Sequence, residues 1–148
     1  MKITFFGHRT FVSQAKYKKK IMLLLEDIIG DEDVEFYLGG YGAFDNFSLG
    51  CCYEYKKNHP SATIFFVTPY ISESYDRLKT AKKDFDHIIY PSLESIPPKF
   101  AITHRNKYMV NISDVVIAYI HHEYGGAYQA YRYAIKTKKR TFNIYEKE

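Results

Sequence analysis

The stretch Asp114-Val115-Val116-Ile117-Ala118-Tyr119-Ile120-His121-His122-Glu123-Tyr124-Gly125-Gly126-Ala127-Tyr128-Gln129 decides the fold. Asp114 to Ile120 is a β-branched, almost wholly apolar run, the pattern of a central strand covered on both faces. His121 to Gly126 reads as its exit loop. Beyond the paired glycines, Ala127, Ala130, Tyr131, Ala134 and Ile135 recur on one face of a helix, and Thr141 to Tyr145 supplies a last strand.

The same strand, glycine loop, helix unit recurs upstream. Ile3 to Phe6 reads as a short buried strand, Gly7-His8-Arg9-Thr10 as its loop, and a helix begins near Ser13 with Tyr17, Ile21, Leu24, Leu25 and Ile28 at helical spacing before Gly30 stops it. Val34 to Leu38 is a second strand. Gly39-Gly40-Tyr41-Gly42 then opens a helix carrying Phe44, Phe47, Cys51 and Tyr55, which His59-Pro60 ends. Thr63 to Thr68 is a third strand, closed by Pro69. Tyr70 to Lys83 reads as a loop with a short helix, Ile88-Ile89-Tyr90 as a brief fourth strand, and Phe100 to Ile112, after the Pro91 to Pro98 loop, as a helix. Alternation of this kind predicts an α/β, Rossmann-like fold, a mostly parallel sheet of about six strands with helices on both faces. At 148 residues, without repeats or a linker, a single domain over 1–148 is expected.

Composition narrows the class. Hydrophobic residues make up 46% and charged residues 26%, the balance of a globular protein, while Phe and Tyr reach 18% with no Trp. The aromatic excess suits pocket walls and subunit contacts, and a homo-oligomer, a dimer or larger, is expected. Two lysine clusters, Lys16 with Lys18-Lys19-Lys20 and Lys136 with Lys138-Lys139-Arg140, account for much of the formal charge of +4. They read as solvated helix ends, so nucleic acid is not expected as a partner. Cys51-Cys52 are adjacent, which makes neither an ordinary disulfide nor a zinc site, and a reducing interior follows. With no signal peptide and no long apolar run, the chain is expected to be cytoplasmic, away from membranes.

Function is read from where the glycines fall. Gly7, Gly39-Gly40-Gly42 and Gly125-Gly126 all follow parallel strands, at the carboxyl edge where open α/β sheets bind ligands. Free N–H groups at the start of a helix suit phosphate, and glycine lets the backbone approach it. Arg9 and Arg105 are the arginines best placed to grip such an anion, with a surface salt bridge the alternative for Arg105, and His8 is either a ligand contact or, as a lone His more often is, structural. Asp45 either caps its helix, binds a ribose hydroxyl or acts as a general base; Glu123 is either an exposed loop carboxylate, a polar contact or a base. His121-His122-Glu123 is not read as a metal site, because consecutive residues rarely converge on one ion, and no cofactor is expected.

His104-Arg105-Asn106 to Ser113-Asp114-Val115-Val116-Ile117-Ala118, followed by Gly125-Gly126, resembles the SLOG superfamily of Rossmann-like nucleotide-binding proteins. Phe5-Phe6-Gly7-His8-Arg9 and Tyr37-Leu38-Gly39-Gly40 to Asp45 look like its small stand-alone bacterial or phage-type branch of unknown activity. The resemblance runs from Ile3 to about Ile144. Its best understood members are lonely-guy-type phosphoribohydrolases, whose signature pairs an Arg-Lys with a Pro-Gly-Gly-x-Gly-Thr-x-x-Glu loop. Arg105 matches the family arginine, Asn106 stands for the lysine, and Gly125-Gly126 match the glycines. Tyr124 replaces the proline, Tyr128-Gln129 the Gly-Thr pair, and Arg132 the catalytic glutamate. Cleavage of an N-glycosidic bond builds positive charge on the sugar, which an arginine repels.

Binding is therefore expected ahead of catalysis. The expected ligand is a nucleotide or nucleotide-derived, phosphate-bearing small molecule, met by Gly7, His8, Arg9, Gly39, Gly40, Gly42, Asp45, Arg105, Asn106, Gly125, Gly126, Tyr128, Gln129 and Arg132. The alternative is a nucleotide N-glycosidase with Asp45 or Glu123 as its carboxylate and Arg105 as its catalytic arginine.

Overall fold

The computed structural model describes residues 1–71 and 85–147. Most of the loop with a short helix expected over Tyr70 to Lys83 lies outside the described residues. Among the described residues six strands are formed: β1 (Lys2–Gly7), β2 (Glu35–Leu38), β3 (Thr63–Val67), β4 (His87–Ile89), β5 (Val115–Tyr119) and β6 (Arg140–Asn143). The helices among these residues are α1 (Ala15–Ile29), α2 (Ala43–Asn58), α3 (Ala101–Ile112), entered through a 3-10 turn at Pro98–Phe100, and α4 (Gly126–Lys136).

The strands lie in the order β4-β3-β2-β1-β5-β6 and every pairing is parallel, where the sequence predicted a mostly parallel sheet. The chain works outward from β1 to β4, then crosses back to place β5 on the other side of β1. The order thus reverses between β1 and β5, and this junction is where doubly wound sheets open a crevice at their carboxyl edge.

Strand alternation sorts side chains onto two faces. Ile3 and Phe5 of β1 with Val115, Ile117 and Tyr119 of β5 join Tyr17, Ile21, Leu25, Phe44, Cys51 and Tyr55 in one core, so α1 and α2 cover that face. Phe6, Tyr37, Val67 and Val116 join Met109, Val110, Ala130 and Ala134 in the other, beneath α3 and α4. Helices on both faces are therefore observed. Each fully buried large side chain contributes about 1.5–3 kcal/mol, and Phe5, Phe36 and Phe66 are all at 0% exposure.

Both cysteines are buried and unbridged. Burial pushes the Cys51 thiol up to about 11 and Cys52 well above its ordinary value, so both are inert core groups. At the carboxyl end of β1, Gly7 is packed so closely that an added Cβ would overlap the Phe44 ring. That close approach seats the first turn of α2 over the end of β1.

Candidate functional site

Two helices open at the carboxyl edge in the same way. Gly42 precedes α2 at φ 93°, ψ 168°, and Gly125 precedes α4 at φ 93°, ψ 170°, and neither cap position supplies a side-chain hydrogen bond. This conformation is strained for any L-residue with a Cβ, which explains the glycines. Because α2 and α4 lie on opposite faces of the sheet, their N-termini flank the edge from two sides. Asp45, in the first turn of α2, accepts the Tyr41 N–H at 3.1 Å and so folds the second glycine loop onto its helix.

The loops after β1 and β5 are joined through histidine. His8 is only 4% exposed, and its N–H donates to the Tyr119 carbonyl at 3.3 Å. The His8 ring lies flat on His122, with centroids 3.4 Å apart and planes 14° apart, and His122 in turn stacks on Tyr124 at 3.8 Å and 18°. His121 meets His8 edge-on at 4.9 Å, and its Nε2 is 2.9 Å from the Thr10 hydroxyl. The His122 main-chain N–H donates to His8 Nε2 at 3.4 Å, which that nitrogen accepts only when it carries no proton. Burial lowers the His8 pKa to about 4, with the neighbouring His122 and His121 adding to the effect. His8 is accordingly a neutral, ordered ring at the base of a three-ring column.

The structure gives Arg105 internal partners. It is 5% exposed, its Nη1 donates to the carbonyls of Gly39 (3.1 Å) and Val67 (2.8 Å), and its Nε donates to Asn106 Oδ1 at 2.9 Å. Burial lowers its pKa, while Asp45, Tyr41 and Tyr70 oppose that shift. The guanidinium thus braces the exits of β2 and β3, and Asn106 holds the guanidinium. Arg9, Glu123, Gln129 and Arg132 are exposed, and Tyr128 is half-buried. The fold brings Gly7, His8, Gly39, Gly40, Gly42, Asp45, Gly125 and Gly126 to one edge; Arg105 and Asn106 lie beneath it.

Sequence reasoning missed Tyr124 as more than a replaced proline. Its ring stacks on His122, two residues before it, and the pairing of β1 with β5, which no local pattern reveals, sets His8 beneath His122. Elsewhere, an open groove of about 510 Å³ between α1 and β6 is lined by Lys20, Leu23, Leu24, Asp27 and Thr141 to Ile144, none of them in the three loops. Among the described residues, no three of His, Cys, Asp or Glu are placed to share a metal ion, and no helix is long and apolar enough to cross a membrane.

No family model matches the chain, and no curated protein matches it. Among solved structures, it is similar to DNA processing protein A from Helicobacter pylori, with a TM-score of 0.63, 17% identity, and coverage of 99% of this chain and 66% of that one. It is also similar to DNA processing protein A from Streptococcus pneumoniae, with a TM-score of 0.66, 14% identity, and coverage of 99% and 50%. The chain thus spans two thirds or less of the length of these proteins. At such identities the likeness is one of fold, and it agrees with the Rossmann-like sheet. The Helicobacter protein binds single-stranded DNA. That finding overturns the expectation that nucleic acid is not a partner, which rested on reading the lysine clusters as solvated helix ends alone.

Proposed function

We propose that the chain binds the nucleotide unit of a phosphate-bearing ligand at the carboxyl edge of the sheet, as a small stand-alone SLOG-type protein. The observation that carries this reading is the matched pair of helix entries at Gly42 and Gly125, which flank the β1–β5 junction with glycine in the same φ-positive conformation. Helix N-termini present N–H donors and the positive end of the macrodipole to an anion. Arg9, in the loop after β1, and Arg132, further along α4, add exposed positive charge, while Arg105 and Asn106 keep the second glycine loop in shape from below.

Binding stands ahead of catalysis. Asp45 is engaged by the Tyr41 N–H, and Arg132 occupies the position where the resemblance would have a carboxylate. Two ligand forms are open to this edge: a free nucleotide, or the backbone of single-stranded DNA. The second is favoured by the fold likeness to a single-stranded DNA-binding protein and by Lys16, Lys18 and Lys19, which stand in the first turns of α1 at the same end of the sheet as the loops.

Thermal denaturation against a panel of nucleotides and a single-stranded oligonucleotide tests the reading. Stabilisation that grows with ligand concentration is expected, and Gly42→Val or Gly125→Val should abolish it. Retention of the oligonucleotide that weakens linearly in log salt would identify the DNA form. If no nucleotide and no oligonucleotide shifts the melting curve, the proposal fails.

A further inference from the structure

Tyr124 is 70% exposed although one face of its ring lies 3.8 Å from His122. An aromatic ring stacked on one side and that open carries its other face to solvent. The column beneath it is fixed at three levels. His8 is buried and tied through its main chain to Tyr119, His122 lies flat on it, and the His122 N–H returns to His8 Nε2. Surface tyrosines ordinarily lose binding energy because a mobile ring must be ordered, but this ring rests on His122, itself backed by His8, before any ligand arrives.

We infer that Tyr124 is a stacking platform for a nucleobase, at the exit of β5 and immediately before the helix entry at Gly125. The inference rests on the nucleotide-binding reading and assigns the base, rather than the phosphate, its contact. The chemistry is π-stacking on an uncharged ring, so it tolerates any base and distinguishes nucleotides from inorganic phosphate or sugar phosphates. The Tyr124 hydroxyl is not required for stacking, and phenylalanine should serve as well. The same face could receive the base of a free nucleotide or one base of a single strand, since both offer the same π-surface.

The test uses 2-aminopurine, whose fluorescence is quenched on stacking, as the ribonucleoside monophosphate and within a single-stranded oligodeoxythymidine. The wild-type chain and Tyr124→Phe should quench the probe with affinities within about twofold of each other. Tyr124→Ala should weaken binding by about 5- to 150-fold, the loss typical of one stacked base, and should lose the quenching. Quenching of the monophosphate assigns the platform to free nucleotides; quenching of the oligonucleotide alone assigns it to single strands. Equal affinity and equal quenching by wild type and Tyr124→Ala would overturn the platform while leaving nucleotide binding in place. Absence of binding by the wild-type chain to either probe would overturn both.

Discussion

Replacing Arg105 with methionine keeps most of the aliphatic stem and removes every donor of the guanidinium. Two main-chain carbonyls, Gly39 O and Val67 O, then lose the Nη1 donor they share, and Asn106 Oδ1 loses Nε. With the side chain 5% exposed, water has little access to take over. Each stranded buried acceptor costs about 1–3 kcal/mol, and relief of the desolvated charge returns part of that sum. A net loss of about 2–4 kcal/mol is expected, seen as a fall in Tm of roughly 5–15 °C for a chain of this size. Urea unfolding followed by circular dichroism measures it, with an unchanged m-value showing that the native fold persists. A phosphate-gripping arginine would behave differently, because its removal would leave the free protein's stability nearly untouched and weaken the ligand. A methionine variant within about 0.5 kcal/mol of wild type that binds nucleotide ten times more weakly would refute the bracing role.

Acid should destabilise the protein through His8. Its folded pKa of about 4 lies below the unfolded value of 6.5, so the unfolded chain binds the proton first. Stability is then full above pH 6.5 and falls as pH drops toward 4, with a slope of up to about 1.4 kcal/mol per pH unit, and His8→Gln should flatten that slope in a pH series of urea melts. Gly7→Ala should cost about 1–3 kcal/mol in the same assay because its methyl meets the Phe44 ring, and adding Phe44→Leu should return part of the loss. A Gly7→Ala protein as stable as wild type would mean that α2 is free to shift over β1.

The strands and helices were legible because each is written in local periodicity: Tyr17, Ile21, Leu25 and Ile28 mark the buried face of α1 with no knowledge of the rest. Ends were less so. The last strand stops at Asn143 rather than Tyr145, since the Asn143 side chain pairs with both main-chain groups of Ile120, through Oδ1 at 3.0 Å and Nδ2 at 2.9 Å, and ends the regular ladder. α1 starts at Ala15 rather than near Ser13, with Gln14 in extended conformation ahead of it. In the site, glycine loops were readable because their conformational demand is local. Arg105 was not, because a helical arginine looks exposed until β2 and β3 close over it. Nor was the column of His8, His122 and Tyr124, because His8 stands more than a hundred residues from the other two and meets them only through the β1–β5 pairing.

That pairing has a consequence for synthesis. Ile3 in β1 must wait for Val115 in β5, and at a ribosomal pace of about 5–20 residues per second the interval lasts roughly 6–22 s. Until then β1 lacks its neighbour on one side, an open edge carrying Phe5 and Phe6, even once β2 to β4 have been made and can pair on the other. A chaperone that covers apolar strand edges would have its greatest effect in that interval, and a synonymous change that slowed translation before codon 115 would lengthen the exposure without altering the finished molecule.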